Sequence, residues 1–511
     1  MDDEMMGMSP KERCKTPSQT SLTKSGESCS KLHGLVKRYM FPGLAGSPAN
    51  VAECSTDGAE SLRALDLISC LPKELALNVF RFLEARDLIN SSQTCRLWRY
   101  LAEDDVLWRN KNSEIGLPDE RLLLQSPSCY PDGFQRSSWK LNYRRHYRID
   151  ANWRNGTKRP AKLVNAHTGY LITCLLFTDN NRIISGSDDG TLKVWSVETG
   201  ECIFSLLGHG GGVWAADVEG AVLVSGSTDR TVRVWNLTNG QAEATLYGHS
   251  STVRCLAVRN GLCVSGSRDC TLRLWQVQVA PPGTLVLNNS CVGVLQGHGA
   301  AVRCVRFNGE FIVSGSYDHQ IRVWSATEKK CLHVLAGHTH RIYSLQFDGT
   351  HVVSGSLDTS IRVWDVRTGA LKHVLVGHES LISGMHQRDH ILISGNADAT
   401  VRMWDIRTGT CLKTLGSEEA KHESAVTSVH FDQNFVVTSS DDGTVKLWDL
   451  HTGQFIRNIV TLTSRSSGGV VWRIIANKTK LVCAVGSRDR NNQITNIEET
   501  KIILFDFDTA N

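Results

Sequence analysis

The chain has 511 residues, room for two or three domains at about 100–200 residues each. At 41% apolar and 21% charged it has the balance of a soluble globular protein, and no run of eighteen apolar residues is present to span a membrane. Its net charge of +4 is small for this length, so polyanion binding along the whole chain is not the default. The opening MDDEMMGMSPKERCK has no apolar stretch and is not expected to act as a secretory signal. The sixteen cysteines are scattered, none in a CxxC pair, and Cys174, Cys255, Cys304 and Cys483 sit inside apolar runs. They read as buried reduced thiols of a nuclear or cytoplasmic protein, with neither metal site nor cofactor expected.

Residues 1–62 are rich in Ser, Thr, Gly and Lys and lack a sustained apolar period. Such a segment buries too little to offset its ordering entropy and is expected to be disordered. Ser9-Pro10, Thr16-Pro17 and Ser47-Pro48 fit proline-directed phosphorylation, and equally an ordinary tail. Residues 66–110 change character. Leu71-Pro72 suits a helix start, because proline tolerates the first turn, and Leu75, Val79, Phe82 and Leu83 then recur at helical spacing. Asp87 is placed to cap a second helix carrying Leu88 and Ile89, and Cys95, Trp98 and Leu101 mark a third. Three short helices bury little surface and need a neighbour or a partner. Residues 111–160 form a connector in which SSWKLNYRRHYRIDANWRNG is helical for about its first two-thirds. Its basic and aromatic segment Tyr143–Arg148 reads as a solvated face that braces two domains, with RNA contact as the alternative.

From residue 161 the chain repeats itself. Seven segments share Ser-Gly-Ser or a close variant, one residue, Asp, a short spacer, an apolar-basic-apolar triplet and Trp. The terminal residues are Trp195, Trp235, Trp275, Trp324, Trp364, Trp404 and Trp448, spaced 40, 40, 49, 40, 40 and 44 apart. The long spacing holds an insertion, 278–290, suited to a surface loop. A degenerate eighth unit ends in KIILFDFD, with Phe505 at the tryptophan position. Triplets such as LKVW and IRVW alternate with period two, so they are strands, and four short strands per period of about 40 mark a propeller blade. Each unit but the first follows a short strand, as in LHVLAGH, whereas the last blade lacks its outer strand; residues 161–165 are expected to fill it and close the ring. The recurring His, Ser, Asp and Trp, such as His209, Ser225, Asp229 and Trp235, superficially suggest hydrolase chemistry. One active site does not occur seven times, so a structural hydrogen-bond network in each blade is expected instead.

Positions that vary within the frame carry the function. The fifth residue after each histidine runs Ile172, Trp214, Arg254, Arg303, Tyr343, Ser383 and Thr427, with Trp472 nearby in the eighth unit. The residue before each repeated Asp runs Asp188, Thr228, Arg268, Tyr317, Leu357, Ala397, Asp441 and Arg488. Equivalent positions lie on one ring about the axis, so Arg254, Arg268 and Arg303 are expected to converge across the third and fourth blades, flanked by Trp214 and Tyr317, with Arg230 on the neighbouring blade. Converging guanidiniums repel unless an anion neutralises them, and arginine's planar fork matches phosphate. With aromatic walls beside them, the implied ligand is an extended peptide carrying phosphoserine or phosphothreonine.

The repeat resembles the WD-repeat family over residues 161–508, with its Gly-His at Gly208-His209, Gly248-His249, Gly297-His298, Gly337-His338 and Gly377-His378. The 66–110 segment resembles an F-box, the helical module that docks on the Skp adaptor of cullin-RING ubiquitin ligases, through Leu71, Pro72, Leu75, Val79 and Leu83. LPKELAL, SLDTSIRVWDV, DDGTVKLWDL and GGVVWRI together are similar to archipelago-type F-box/WD receptors over 66–508. The fold expected is thus an all-β eight-bladed WD-repeat propeller preceded by a small all-α F-box domain and a helical linker. The resemblance implies a non-catalytic substrate receptor, whose propeller binds phosphoserine- or phosphothreonine-proline degrons of clients bound for ubiquitination and degradation. It implies that Arg254, Arg268 and Arg303 clasp the first phosphate and that Ser251, Thr252 and Arg230 help with a second, with Trp214, Tyr317 and Tyr343 lining the site. The partners implied are the Skp adaptor, through it the cullin-RING ligase, and phosphorylated clients; neither membrane nor nucleic acid is expected. A WD scaffold outside any ligase and an RNA-binding propeller are the competing readings. The family's helical dimerisation segment is not recognisable in residues 30–62, so dimerisation is left open.

Overall fold

Alternating apolar residues in each repeat fold into a four-stranded antiparallel sheet, and the computed structural model has eight of them. It describes residues 66–121, 129, 134–158, 161–167, 169–178, 181–278, 290–416, 420–462, 469–487 and 500–509. The expectations for residues 1–62, for Arg488 and for most of the 278–290 insertion lie outside the described residues. The described residues Asp66–Cys70 fall in one unit and those from Leu71 onward in another. In the first, Ser69 donates from its backbone and its hydroxyl to the Asp66 carboxylate.

The second unit opens with four short helices, one more than the sequence pattern indicates: α1 (Lys73–Arg81), α2 (Ala85–Ser91), α3 (Arg96–Ala102) and α4 (Asp105–Glu114). Pro72 precedes α1 and leaves no donor unsatisfied there. Asp87 lies within α2 rather than capping it, because Glu84 is the cap residue. The Cys95 sulfur accepts the Trp98 N–H at the start of α3, and the Asp104 carboxylate accepts the Val106 N–H at the start of α4. Ala76 and Phe80 of α1 are buried, and the Phe80 ring meets Trp98 edge-on at 5.5 Å.

Helix α5 (Ser138–Asn155) is longer than expected, running almost to Gly156, whose φ of +90° ends it. One end is tied to the small helices: the buried Lys140 ammonium pairs with Glu103, and Asn112 donates to the Trp108 and Trp139 carbonyls at 2.6 and 3.0 Å. The other end is tied to the last strand of the chain. Asn152 donates to the Phe507 and Thr509 carbonyls at 2.7 and 3.1 Å, and Trp153 stacks on Phe507 at 3.7 Å. Segment Tyr143–Arg148 is therefore a brace on one side, while Arg144 and Tyr147 are exposed on the other. Arg145 and Arg148 both pair with Asp508, at 2.7 and 3.0 Å, and His146 is buried.

The propeller closes as expected. Lys162–Asn165 pairs antiparallel with Lys501–Asp506 to complete blade 8, whose other strands are Lys480–Ser487 and, innermost, Gly469–Ala476. Blades 1 to 7 begin with innermost strands Ile172–Phe177, Val213–Glu219, Val253–Arg259, Val302–Phe307, Ile342–Phe347, Ile382–Arg388 and Val426–Phe431. The core lies between blades. Val224, Val232 and Val234 of blade 2, for example, pack with Leu256, Val258 and Trp275 of blade 3.

Each of the first seven blades is pinned by the network the repeat implies. In blade 3, His249 meets Asp269 at 2.7 Å and Ser265 at 2.8 Å, and Trp275 donates to the same serine at 2.8 Å. Blade 7 substitutes Thr438 for the serine. In blade 8 the outer pairing, Leu481 with Phe505, puts Cys483, Ala484 and Val485 where the Ser-Gly-Ser stands elsewhere. The Gly486-Ser487 pair thus mimics the repeat two residues late, and the network gives way to apolar packing.

The glycine before each histidine has a steric cause. A Cβ at Gly208, Gly248, Gly297, Gly337 or Gly377 would lie 2.5–2.7 Å from the guanidinium nitrogen of Arg233, Arg273, Arg322, Arg362 or Arg402. Blades 1 and 7 have Ala166 and Lys421 there instead, and both carry lysine, Lys193 and Lys446, in place of the arginine. Lys193 reaches past to donate to the Ala166 carbonyl at 2.7 Å.

Candidate functional site

Every innermost strand carries a bulge that leaves one residue unpaired near its start. Bulges re-aim a side chain out of the ladder. The eight bulge residues are Thr173, Trp214, Arg254, Arg303, Tyr343, Ser383, Thr427 and Trp472. This is the ring read from the sequence with one correction: the loop after His167 is one residue longer, so Thr173 and not Ile172 holds the position in blade 1. Ile172 is core.

The ring divides into two arcs. In blades 1, 6 and 7 the hydroxyls turn outward to the next blade: Thr173 donates to the Val213 carbonyl, Ser383 to Val426 and Thr427 to Val471. Trp472 is buried against Gly486. In blades 2 to 5 the same position carries Trp214, Arg254, Arg303 and Tyr343, all half-buried.

On that second arc the structure brings several expected residues together. The Arg254 guanidinium lies 4.2 Å from the centre of the Trp214 ring, which orients it. Tyr317 and Tyr343 pack at 5.5 Å, and burial raises the Tyr343 phenol while a hydrogen bond from Arg341 opposes the rise. Arg268 sits in the turn of blade 3, its N–H donating to the Thr252 carbonyl at 2.9 Å. Equivalent turns fix its outlook: Asp188 of blade 1 abuts Gly212 of blade 2, and Tyr317 of blade 4 lies 5.2 Å from Arg341 of blade 5. The same turn geometry directs Arg268, which is exposed, towards blade 4. Arg230 is exposed at the tip of the blade 2 turn, with a φ of +71°, and Ser251 and Thr252 are half-buried at the start of blade 3.

The repeated carboxylates beside this arc are engaged elsewhere. Asp229, Asp269 and Asp318 are the nearest repeated carboxylates, and each is held by its own histidine at 2.7–2.8 Å. Burial opposes ionisation of Asp229, but hydrogen bonds from Thr231, His209 and Gly210 outweigh it and hold the carboxyl at about 2. Burial pushes the Cys304 thiol up to about 11 and the Cys255 thiol higher still, despite Arg303 and Arg306, so neither is an anion. Among the described residues, Arg230, Arg268 and Arg303 have no ion-pair partner. A further arginine, Arg473, follows the bulge of blade 8; burial lowers its pKa and Arg303 lowers it further.

Sequence reasoning passed over Arg341. It stands three residues after His338, a position outside both series followed, and reading that third position along the repeats would have found it. On the small helices, Leu71, Pro72 and Leu75 are exposed, Val79 and Leu83 half-buried. Phe82, 83% exposed, extends the same apolar surface, with Leu97 and Tyr100 exposed on α3.

The F-box-like family model matches residues 68–113, and the WD-repeat model matches seven segments from 158 to 449. The chain belongs to the WD-repeat family and carries an F-box-like domain ahead of its propeller. It is 53% identical over 158 residues to F-box/WD repeat-containing protein 7 of Drosophila melanogaster, covering 30% of this chain and 12% of that one. It is 41% identical over 187 residues to the F-box/WD repeat-containing protein sel-10 of Caenorhabditis elegans, covering 30% and 31%. The matched regions thus span less than a third of these relatives. Among solved structures, the computationally designed Ika8 protein superposes with a TM-score of 0.58 at 32% identity, covering 67% of this chain and 98% of that one.

Proposed function

We propose that the protein is the substrate-recognition subunit of a Skp–cullin–F-box ubiquitin ligase, and that its propeller binds phosphoserine- or phosphothreonine-proline degrons of client proteins. The observation that carries this reading is the concentration of arginines between aromatic walls on blades 2 to 5, where Arg254 is oriented on Trp214 and Arg230, Arg268 and Arg303 have no carboxylate partner among the described residues. Arg254, Arg268 and Arg303 offer planar forks to one phosphate dianion. Arg230 with the hydroxyls of Ser251 and Thr252 suits a second. Trp214, Tyr317 and Tyr343 give flat apolar walls for proline or aliphatic side chains. The receptor does no chemistry itself; it raises the local concentration of the client beside the ubiquitin-charged enzyme.

The exposed apolar stripe of α1 supports docking on the Skp adaptor, as do relatives named as ligase subunits, such as the probable E3 ubiquitin ligase complex SCF subunit sconB of Arthroderma otae. The pairing of Arg145 and Arg148 with Asp508 weighs against the RNA reading, leaving Arg144 and Tyr147 as the exposed residues of that segment. The test is fluorescence polarisation with a doubly phosphorylated peptide and its unphosphorylated twin, alongside a pull-down with the adaptor. Equal affinity for the two peptides overturns the degron reading. Adaptor capture that fails, or that Leu75→Glu leaves untouched, favours a scaffold outside the ligase.

A further inference from the structure

Where two blades meet, the residue after the repeated aspartate of one abuts the second and third residues after the histidine of the next. A Cβ at Gly190 of blade 1 would lie 3.1 Å from the carbonyl oxygens of His209 and Gly211 of blade 2. At the junction of blades 2 and 3 this corner holds Arg230, Ser251 and Thr252. At blades 3 and 4 it holds Cys270, Ala300 and Ala301, a small uncharged floor beside Arg268 and Arg303. At blades 4 and 5 it becomes polar and cationic again, with His319, His340 and Arg341. The corner of blades 6 and 7 carries only Ala399, Ser424 and Ala425. The cationic corners therefore flank the arginine cluster symmetrically, one on each side.

The blade 4–5 corner is assembled and accessible. The His319 and His340 rings stack at 6.1 Å and 29°, and both residues are exposed, as is Arg341. The Ser356 hydroxyl reaches the His340 and Arg341 carbonyls at 3.0 and 3.1 Å and fixes their loop. The carboxylates beside the corner, Asp318 and Asp358, are engaged by His298 and His338 at 2.7 and 2.8 Å. Among the described residues no carboxylate pairs with Arg341, whose guanidinium lies over the Tyr317 ring and hydrogen-bonds Tyr343.

An extended peptide with one phosphate at the blade 3–4 junction and a later one at blades 2–3 must send its preceding residues towards blades 4–5. We propose that His319, His340 and Arg341 form a further subsite for an acidic side chain a few residues N-terminal to the first phosphorylated residue. This rests on the phosphopeptide reading above. The partner chemistry is that of aspartate, glutamate or a phosphorylated residue, and Arg341 supplies the planar fork while Tyr317 supports it.

The test uses the full chain and two doubly phosphorylated peptides that differ only in glutamate or glutamine a few residues before the first phosphate, scanned over successive positions. At one position the glutamate peptide is expected to bind about fivefold tighter, the scale of an exposed ion pair near 1 kcal/mol. In Arg341→Met the ratio of the two affinities falls to one, whatever their common level, because only the preference reads the subsite; Arg341→Lys retains part of the preference. Equal affinity of wild type for both peptides at every position, or a preference that survives Arg341→Met together with His319→Phe, overturns the subsite alone. Failure of the wild type to bind any phosphorylated peptide overturns the receptor reading and the subsite with it.

Discussion

Blades 2 to 5 and blades 6, 7, 8 and 1 are built from the same strands and the same bulge, yet they use the bulged residue in opposite ways. On the latter arc it is Ser383, Thr427, Trp472 or Thr173, and its polar group or ring is spent within the fold. On the former it is Trp214, Arg254, Arg303 or Tyr343, which leave charge and aromatic surface half-exposed. One arc joins blades and the other forgoes that join. A repeat protein can vary one arc because its stability is spread over many equivalent interfaces.

The largest effect expected from this division is on binding. Arg254→Ala, Arg268→Ala and Arg303→Ala should each weaken phosphopeptide binding by about 2 kcal/mol or more, as truncation of a charge anchor that the bound peptide covers does. The melting temperatures of Arg268→Ala and Arg303→Ala should stay close to wild type, since neither arginine has an ion-pair partner among the described residues, whereas Arg254→Ala also gives up the contact with Trp214 and should melt slightly earlier. Fluorescence polarisation and thermal denaturation read the two quantities. A variant that melts early without losing affinity would erase the distinction between the arcs.

Next in size is the glycine–arginine pairing that both arcs share. Gly248→Ala would force its methyl to 2.6 Å from Arg273 and should cost about 1–3 kcal/mol, seen as a lower denaturation midpoint. Arg273→Lys in the same chain should restore the part due to that contact, as blade 1 combines Ala166 with Lys193, but not the strain of a side chain at the φ of +158° that Gly248 adopts. An uncorrected double variant would show that the arginine is not what excludes a side chain.

Acid should then strike the structural arc selectively. His386 and His430, on blades 6 and 7, stack at 4.3 Å. Burial, followed by Arg306, holds His386 at about 4; burial, followed by His386, holds His430 at about 3. A depressed histidine adds stability that is complete above its ordinary value of 6.5 and is lost as pH falls towards the folded value. The melting temperature should therefore decline between about pH 6.5 and 4, and His430→Phe should flatten that decline. An unchanged slope in the variant would move the cause to the buried His146, held at about 4 chiefly by burial, or to His209 of blade 2, which burial also lowers.

Much of this architecture was legible before any coordinates. The blade count, the ring closure by residues 161–165 and the His-Ser-Asp-Trp network follow from period and spacing, which are local. The bulge ring was legible in seven blades for the same reason. It slipped in blade 1 because a one-residue longer loop after His167 preserves the apolar pattern while shifting the count. The repeat frame misled in blade 8, where Gly486-Ser487 imitates a motif that the strand ladder sets two residues earlier. Fixed frames also concealed Arg341. The role of Arg145 and Arg148 was beyond reach, since Asp508 lies over 350 residues away in the chain. Helix α4 was missed because Asp104 caps it immediately after α3, leaving no linker to mark the break.

The smallest expected effect tests the division from its structural side. Thr427 donates to the Val471 carbonyl at 2.5 Å and meets the Ser439 hydroxyl at 2.8 Å, so it joins blade 7 to blade 8. Thr427→Val keeps the shape and removes the hydroxyl, leaving a carbonyl short of a donor at about 1 kcal/mol, a loss of a few degrees in melting temperature. Affinity for the doubly phosphorylated peptide should not change, because the residue's polar atom faces the neighbouring blade. Val is also the control for size: a drop in affinity with no loss of stability would mean that Thr427 reaches the ligand, and that the cationic arc does not end at blade 5.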